Sequence, residues 1–212
     1  MVEIKVEDFN ILIDKKEKYI QINDVQEVEK LFLLIKEKYK NYQIDFCYHN
    51  NIPPKIALKS IGAILLDDSL EMKLEKRNLI KQTDDGIIKV TKDNFELFAK
   101  CHDTKSLNMY WNSKRIFSTL DDWSIFMILA NGEIIGYVLT AIWNLEEAEI
   151  YALVMPNAMV GITLLLKAVQ DAFNRNHKKM LFMVENNTLE HLCSLEVSFK
   201  ETGFYQSYRI TL

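Results

Sequence analysis

The sequence predicts an α+β protein with a mixed, mostly antiparallel central sheet flanked by helices. Three observations carry that expectation. Residues 123 to 155 read as an antiparallel meander folded about Asn131-Gly132. Two long apolar stripes at helical spacing, one beginning near Val25 and one near Ile162, each lead into a strand. Glycine and proline are scarce, six and three in 212 residues. Average glycine usage is roughly 7%, so disordered and linker-rich architectures are excluded.

The elements follow in order. Ile4–Ile13 and Tyr19–Ile22 have strand character on either side of the charged turn 14–18. Asp24-x-x-Glu27 has capping-box spacing ahead of Val25, Val28, Leu31, Phe32, Ile35 and Tyr39. A strand is expected over Tyr42–His49, ended by Asn50-Asn51. Pro53-Pro54 favours a helix start because the first turn needs no intrahelical N–H donor. That short helix stops at Gly62, and Ile64–Leu74 returns as strand. The polar run Arg77–Gly86 ends in the turn signal Asp84-Asp85-Gly86 and marks a domain boundary, dividing the chain into 1–80 and 81–212.

Beyond it, Ile87–Val90 is a short strand, and Asp93-x-x-Glu96 caps a helix with Phe95, Phe98 and Cys101 on one side. Residues 103 to 120 are irregularly helical. Trp123–Ala130 and Glu133–Trp143 pair through Asn131-Gly132, because a type I′ turn needs positive φ at both central residues. Glu149–Met155 completes the meander, and Pro156 ends it. A long helix then presents Ile162, Leu165, Leu166, Val169 and Phe173. Lys179–Val184 reads as a buried strand, Asn187-x-x-Glu190 caps another helix, and Gly203 closes the turn before a last strand, Phe204–Leu212. Residues 24–76 and 161–212 share the order helix, strand, Asn-Asn, helix, Gly, strand. Their Asn-to-Gly spacings differ: eleven positions for Asn51–Gly62 and sixteen for Asn187–Gly203.

Composition narrows the function. Lys+Arg 26 against Asp+Glu 30 leaves a net charge of −4, with no basic field for a nucleic-acid backbone. No two glycines fall at phosphate-loop spacing. Cys47, Cys101 and Cys193 are odd in number and far apart, which speaks against a disulfide framework or a zinc knuckle and for reduced thiols. The histidines have no metal-ligand spacing. The start carries no signal-peptide pattern, and no apolar run approaches a membrane span. A cytoplasmic protein, away from membranes and without metal, is expected.

From residue 87 onward the order strand, two helices, three-strand meander, helix, strand, helix, strand resembles the GNAT superfamily of N-acetyltransferases. Asn131-Gly132 with Gly136 in the return strand, Ile150–Val154 with the exit proline Pro156, and Thr202-Gly203-Phe204 carry the likeness. Asn51 through Gly62 and on to Leu74 resembles the same closing element. The resemblance therefore implies an incomplete N-terminal unit in tandem with a complete one.

It further implies an acyl-CoA-dependent N-acyltransferase, moving acetyl from acetyl-CoA to the amine of a small molecule or peptide by direct attack. The pantetheine would run beside Ala152, Leu153 and Val154. The pyrophosphate would rest on the following loop at Gly161, Ile162 and Thr163, where helix N-terminal N–H groups favour anions. Gly161 is equally readable as a loop glycine before a helix. Asn187 would contact the cofactor, and it also has the spacing of a cap with Glu190. Glu149, on one strand face with Tyr151, is the candidate base, or simply a solvated strand-end glutamate.

The sequence departs from the family pattern in places. Ala158 stands where a basic or amide residue is usual, and Thr163 where a small one is. Phe199, and Leu58 in the first unit, replace the frequent tyrosine acid, leaving Tyr205 or Tyr208 as substitutes. These departures keep open a second reading, a catalytically degenerate CoA-binding or protein-interaction module; a third reading is a structural interaction protein in which the two units pack to continue one sheet or form a dimer.

Overall fold

The computed structural model describes residues 1–76, 86–105 and 110–212. Ile4–Ile13 is a hairpin rather than one strand: β1 (Val2–Val6) and β2 (Phe9–Asp14) pair antiparallel across a turn at Glu7, whose φ is 50°. β3 (Tyr19–Asn23) follows. The expected capping box does not form. Asp24 adopts a φ of 53° and accepts the His49 N–H at 3.0 Å, so helix α1 begins only at Val28 and runs to Ile35. Tyr39 lies in the turns after it, still buried.

β4 (Gln43–His49), α2 (Lys55–Ser60) and β5 (Ile64–Glu75) match expectation, with the helix entered from Pro54 and closed at Gly62. Of the expected boundary turn, residues 77–85 lie outside the described residues. β6 (Ile87–Lys89), α3 (Phe95–Lys105), α4 (Ser113–Ser118) and a 3-10 turn (Leu120–Asp122) lead into β7 (Trp123–Ala130) and β8 (Glu133–Ala141). Asn131 and Gly132 both have positive φ, the type I′ requirement. β9 (Glu147–Val154), α5 (Ala158–Asn174), β10 (Lys179–Val184), α6 (Leu189–Glu196) and β11 (Lys200–Thr211) complete the chain.

Two expectations at the C-terminal end are corrected. The cap of α6 is Thr188, whose side chain accepts the His191 N–H, and not Asn187. Gly203 does not close that helix. Ser198, at a φ of 71°, does so, and Gly203 lies inside β11. A Cβ there would stand 1.8 Å from Asn50 Oδ1, so glycine is kept by close approach.

By contact the chain divides within β5 and β11. One unit is Met1–Leu70 with Gly203–Leu212, the other Glu71–Thr202. The last strand belongs with the first unit because it pairs antiparallel with β4 from Tyr205↔His49 to Thr211↔Gln43.

Both units rest on mixed, mostly antiparallel pairing. In the first the order is β1-β2-β3-β4-β11-β5, and β3/β4 is its parallel pair. Its core joins α1 (Val28, Leu31, Ile35) and α2 (Leu58) to Ile20, Ile22, Ile44, Phe46 and Tyr48. In the second the order is β5-β10-β9-β8-β7-β6, and β9/β10 is its parallel pair. One face packs Phe95, Phe98 and Ile116 of α3 and α4 on Trp123, Ile125, Tyr137 and Leu139. The other receives the buried stripe of α5, including Leu164, Leu165, Ala168 and Val169. That alternation is the period-2 consequence of strand geometry.

Candidate active site

In the second unit the parallel pairing of β9 and β10 runs from Glu147↔Lys179 to Ile150↔Phe182 and stops there. Both strands continue, β9 to Val154 and β10 to Val184. On its other edge β9 stays paired, with Ala152, Leu153 and Val154 opposite Leu139, Val138 and Tyr137. The register slips at Tyr151, because Thr140 faces Ile150 and Leu139 faces Ala152. Such a bulge bends its strand and re-aims a side chain. Residues 151–154 thus present an edge of backbone donors and acceptors that β10 does not take up, and an unpaired edge is a template for a strand-like ligand.

The turn after β9 delivers the start of α5. Asn157 caps it, its side chain accepting the Val160 N–H at 3.1 Å, and no acidic residue lies in the first turn. The N–H groups of Ala158 and Met159 have no acceptor inside the helix. Gly161 lies deeper, with its N–H on the Asn157 carbonyl at 3.2 Å. Ile162 and Thr163 are within the second turn. A Cβ on Gly161 would stand 2.0 Å from Met155 Sδ and 3.1 Å from Cys193 Sγ, so close packing requires glycine here. The anion-ready donors sit two to three residues before the glycine.

Glu149 pairs across β8 with Ala141, which belongs to the core under α3 and α4. Directly opposed residues share a face, so Glu149 points to the α3/α4 side. Burial first, then the nearby charges of Glu147 and Glu71, push its carboxyl up to about 7. Glu147 is held by Lys179 at 2.5 Å, and Glu71 accepts the Thr202 hydroxyl. Among the described residues Glu149 makes no side-chain hydrogen bond, and it is poised to exchange a proton near neutral pH.

Sequence reasoning missed an aromatic cluster on the same side. Trp123 lies 5.0 Å from Trp143 and 5.4 Å from Tyr151, and Trp143 lies 5.6 Å from Tyr151, centroid to centroid. Trp111 closes on Trp123 at 5.1 Å. Its carbonyl accepts from His102 Nε2 at 2.8 Å, so Nδ1 must accept the Tyr137 hydroxyl, 2.9 Å away. Burial lowers the His102 pKa and keeps that neutral tautomer. Four aromatic residues spread over 111–151 give no local spacing signal; only the fold collects them.

The remaining candidates have partners of their own. Asn187 has a φ of 61° and donates its N–H to His191 Nδ1. Phe199 is buried against Phe182. In the first unit the Tyr205 hydroxyl donates to Cys47 Sγ at 3.2 Å, and Tyr208 packs on Tyr48. Burial pushes the Cys47 thiol up to about 12, far from a nucleophile's range. Among the described residues no group of three His, Cys, Asp or Glu could hold a metal ion, and no helix is long and apolar enough to cross a membrane.

No family model matches the chain, and no curated protein matches it. Solved structures do. A functionally unknown conserved protein from Staphylococcus epidermidis is similar over 99% of this chain and 94% of its own, at TM-score 0.73 and 13% identity. A GCN5-related N-acetyltransferase from Kribbella flavida is similar over 98% and 88%, at TM-score 0.67 and 9% identity. A tandem GNAT protein from the clavulanic acid biosynthesis pathway is similar over 96% and 78%, at TM-score 0.58 and 11% identity. The fold is that of the GCN5-related N-acetyltransferases. At such identities chemistry has to be argued from the residues themselves.

Proposed function

We propose that the second unit is an acyl-CoA-dependent N-acyltransferase, with acetyl-CoA as the donor and an amine as the acceptor. The observation that supports it is the end of β9/β10 pairing at Ile150↔Phe182 while β9 continues to Val154. The pantetheine arm lies along the free edge at Ala152, Leu153 and Val154. The pyrophosphate rests at the start of α5, on the first-turn N–H groups ahead of Gly161, Ile162 and Thr163, with Asn187 approaching from the turn after β10. Unpaired thiols at Cys47, Cys101 and Cys193 suit a cytoplasmic enzyme.

Glu149 takes a proton from the substrate ammonium. The neutral nitrogen then attacks the thioester carbonyl. The C–N bond forms, the C–S bond breaks, and the departing thiolate receives the second amine proton. A base near pH 7 matches the task, since it is ionised in useful amount and still able to hold the proton. Titrating the full chain with acetyl-CoA by calorimetry tests the reading: one site per chain is expected, and no heat at millimolar cofactor would remove it.

A second reading, a CoA-binding module without turnover, draws on the helix end. With Ser198 as the closing residue, the place expected for a tyrosine acid falls on Ser194, buried with its hydroxyl donating to the His191 carbonyl, and not on Phe199. Release of CoA thiol with a panel of amines, abolished in Glu149→Gln, separates the two.

A further inference from the structure

The aromatic cluster beside Glu149 has no part in acyl transfer itself, yet its geometry is specific. Trp123 and Trp143 stand at 90°, Trp123 and Tyr151 at 80°, and Trp143 and Tyr151 at 62°. Three rings steeply inclined to one another form a corner, braced by Trp111, 5.5 Å from Trp143. Trp123 is buried, whereas Trp143 is 43% exposed. Part of the Trp143 side chain is therefore open to solvent while its ring neighbours fix its orientation, and Glu149 lies on the same strand as Tyr151. At the far end of the same cluster the Arg115 guanidinium already sits 4.1 Å from the centroid of Tyr110, whose ring contacts Trp111.

Ring faces attract cations, and more strongly when the rings are preorganised. A face that stabilises positive charge would keep a bound amine protonated and unreactive. The cation it holds is therefore not the nitrogen that is acylated. We propose that Trp143, backed by Trp123 and Tyr151, is the subsite for an alkylammonium group of the acceptor, so that the acceptor class is amines bearing a second positive charge. Its role as an acceptor subsite rests on the acyl-transfer reading; the recognition of an alkylammonium does not. Tyr151 and Glu149 are two residues apart on β9, at most roughly 7 Å along a strand that bulges at Tyr151, which bounds the scale between the two nitrogens.

The test uses choline, which has a quaternary ammonium, and its neutral isostere 3,3-dimethylbutan-1-ol, with indole fluorescence of the full chain as readout. Saturable quenching by choline is expected, with the isostere at least about tenfold weaker, a difference of about 1.4 kcal/mol. Trp143→Leu should abolish it and Trp143→Tyr should retain it in weakened form. No saturable response to choline, an equal response to the isostere, or a response that survives Trp143→Leu overturns the proposal. Acetyl-CoA titration of the same samples keeps the two readings apart. Cofactor binding without a choline response removes the subsite alone. A choline response without cofactor binding removes acyl transfer and leaves the cation site standing.

Discussion

Each unit contains a parallel strand pair entering a helix, β3/β4 and β9/β10, and these two pairs end differently. In the first unit β3 and β4 stay in register from Tyr19↔Gln43 to the last residue of β3, Asn23↔Cys47. The zipper then continues past the strand, with the Asp24 N–H on the Cys47 carbonyl at 2.8 Å and the His49 N–H on the Asp24 side chain. Side chains fasten it too: Asp45 accepts the Tyr19 hydroxyl and both Nε and Nη2 of Arg209. In the second unit the pair separates after four registered positions, and β9 goes on without β10, paired only with β8 and bulged at Tyr151. One arrangement leaves no edge for a guest strand, and the other leaves four residues of edge.

The helix starts differ in the same sense. α1 has Glu29 in its first turn and no side-chain cap, whereas α5 has the Asn157 cap and no acid there. An anion is repelled at the first and accommodated at the second. The ends, by contrast, agree. Gly62 and Ala63 donate to Lys59 and Leu58 carbonyls just as Ser198 and Phe199 donate to those of Leu195 and Ser194. The units are built to one local plan, and the difference is confined to where a ligand would lie.

The largest effect should come from unlocking the closed pair. Asp45→Ala leaves Arg209 without its bidentate partner in a mostly buried setting. It should cost about 3–5 kcal/mol in urea unfolding, with acetyl-CoA affinity of the native protein unchanged. A loss of cofactor binding in that native variant would break the comparison, since it would tie the ligand to the first unit.

Next, Glu149→Gln should lower kcat by about 100-fold or more while leaving the acetyl-CoA Kd unchanged. Unaltered turnover would show that the open pair binds cofactor without supplying the base. The pH dependence follows in size. The carboxyl of Glu149 is raised from 4.5 to about 7, so between those values the folded state holds more proton than the unfolded state, and stability falls as pH rises through the window. At pH 8 the wild type should carry a penalty of up to about 3 kcal/mol from this group, relieved in Glu149→Gln. Over the same range kcat/KM should rise as the base ionises. Thermal melts and rate profiles from pH 5 to about 8 check both signs. The smallest effect is Asp24→Ala, about 1 kcal/mol from one lost side-chain hydrogen bond. It should loosen the closed pair without creating a second cofactor site.

Much of the fold was legible. β7 and β10 fall on the residues their patterns mark, and the Asn131-Gly132 hairpin follows from turn chemistry alone. Errors arose where a local signal had a distant competitor. Asp24 looks like a cap, but its side chain is spent on the backbone of His49, twenty-five residues on. Gly203 looks like a helix stop, but Asn50, just past the end of the neighbouring strand, occupies the space of its Cβ. With Ser198 as the true closing residue, Asn187–Ser198 spans eleven positions, equal to Asn51–Gly62. In the candidate site, Glu149 and the edge at 152–154 could be named from the strand. The aromatic corner could not.

The sequence by itself determined most of the elements, their order and hence the fold, because periodicity and turn chemistry are local. Only the tertiary structure decided which parallel pair closes and which opens, how strongly Glu149 holds its proton, and that Trp111, Trp123, Trp143 and Tyr151 meet. Register between parallel strands, desolvation of a carboxylate and the meeting of rings all depend on residues far apart in the chain. A period-2 pattern says which face of a strand is buried but not which of its edges is left without a partner.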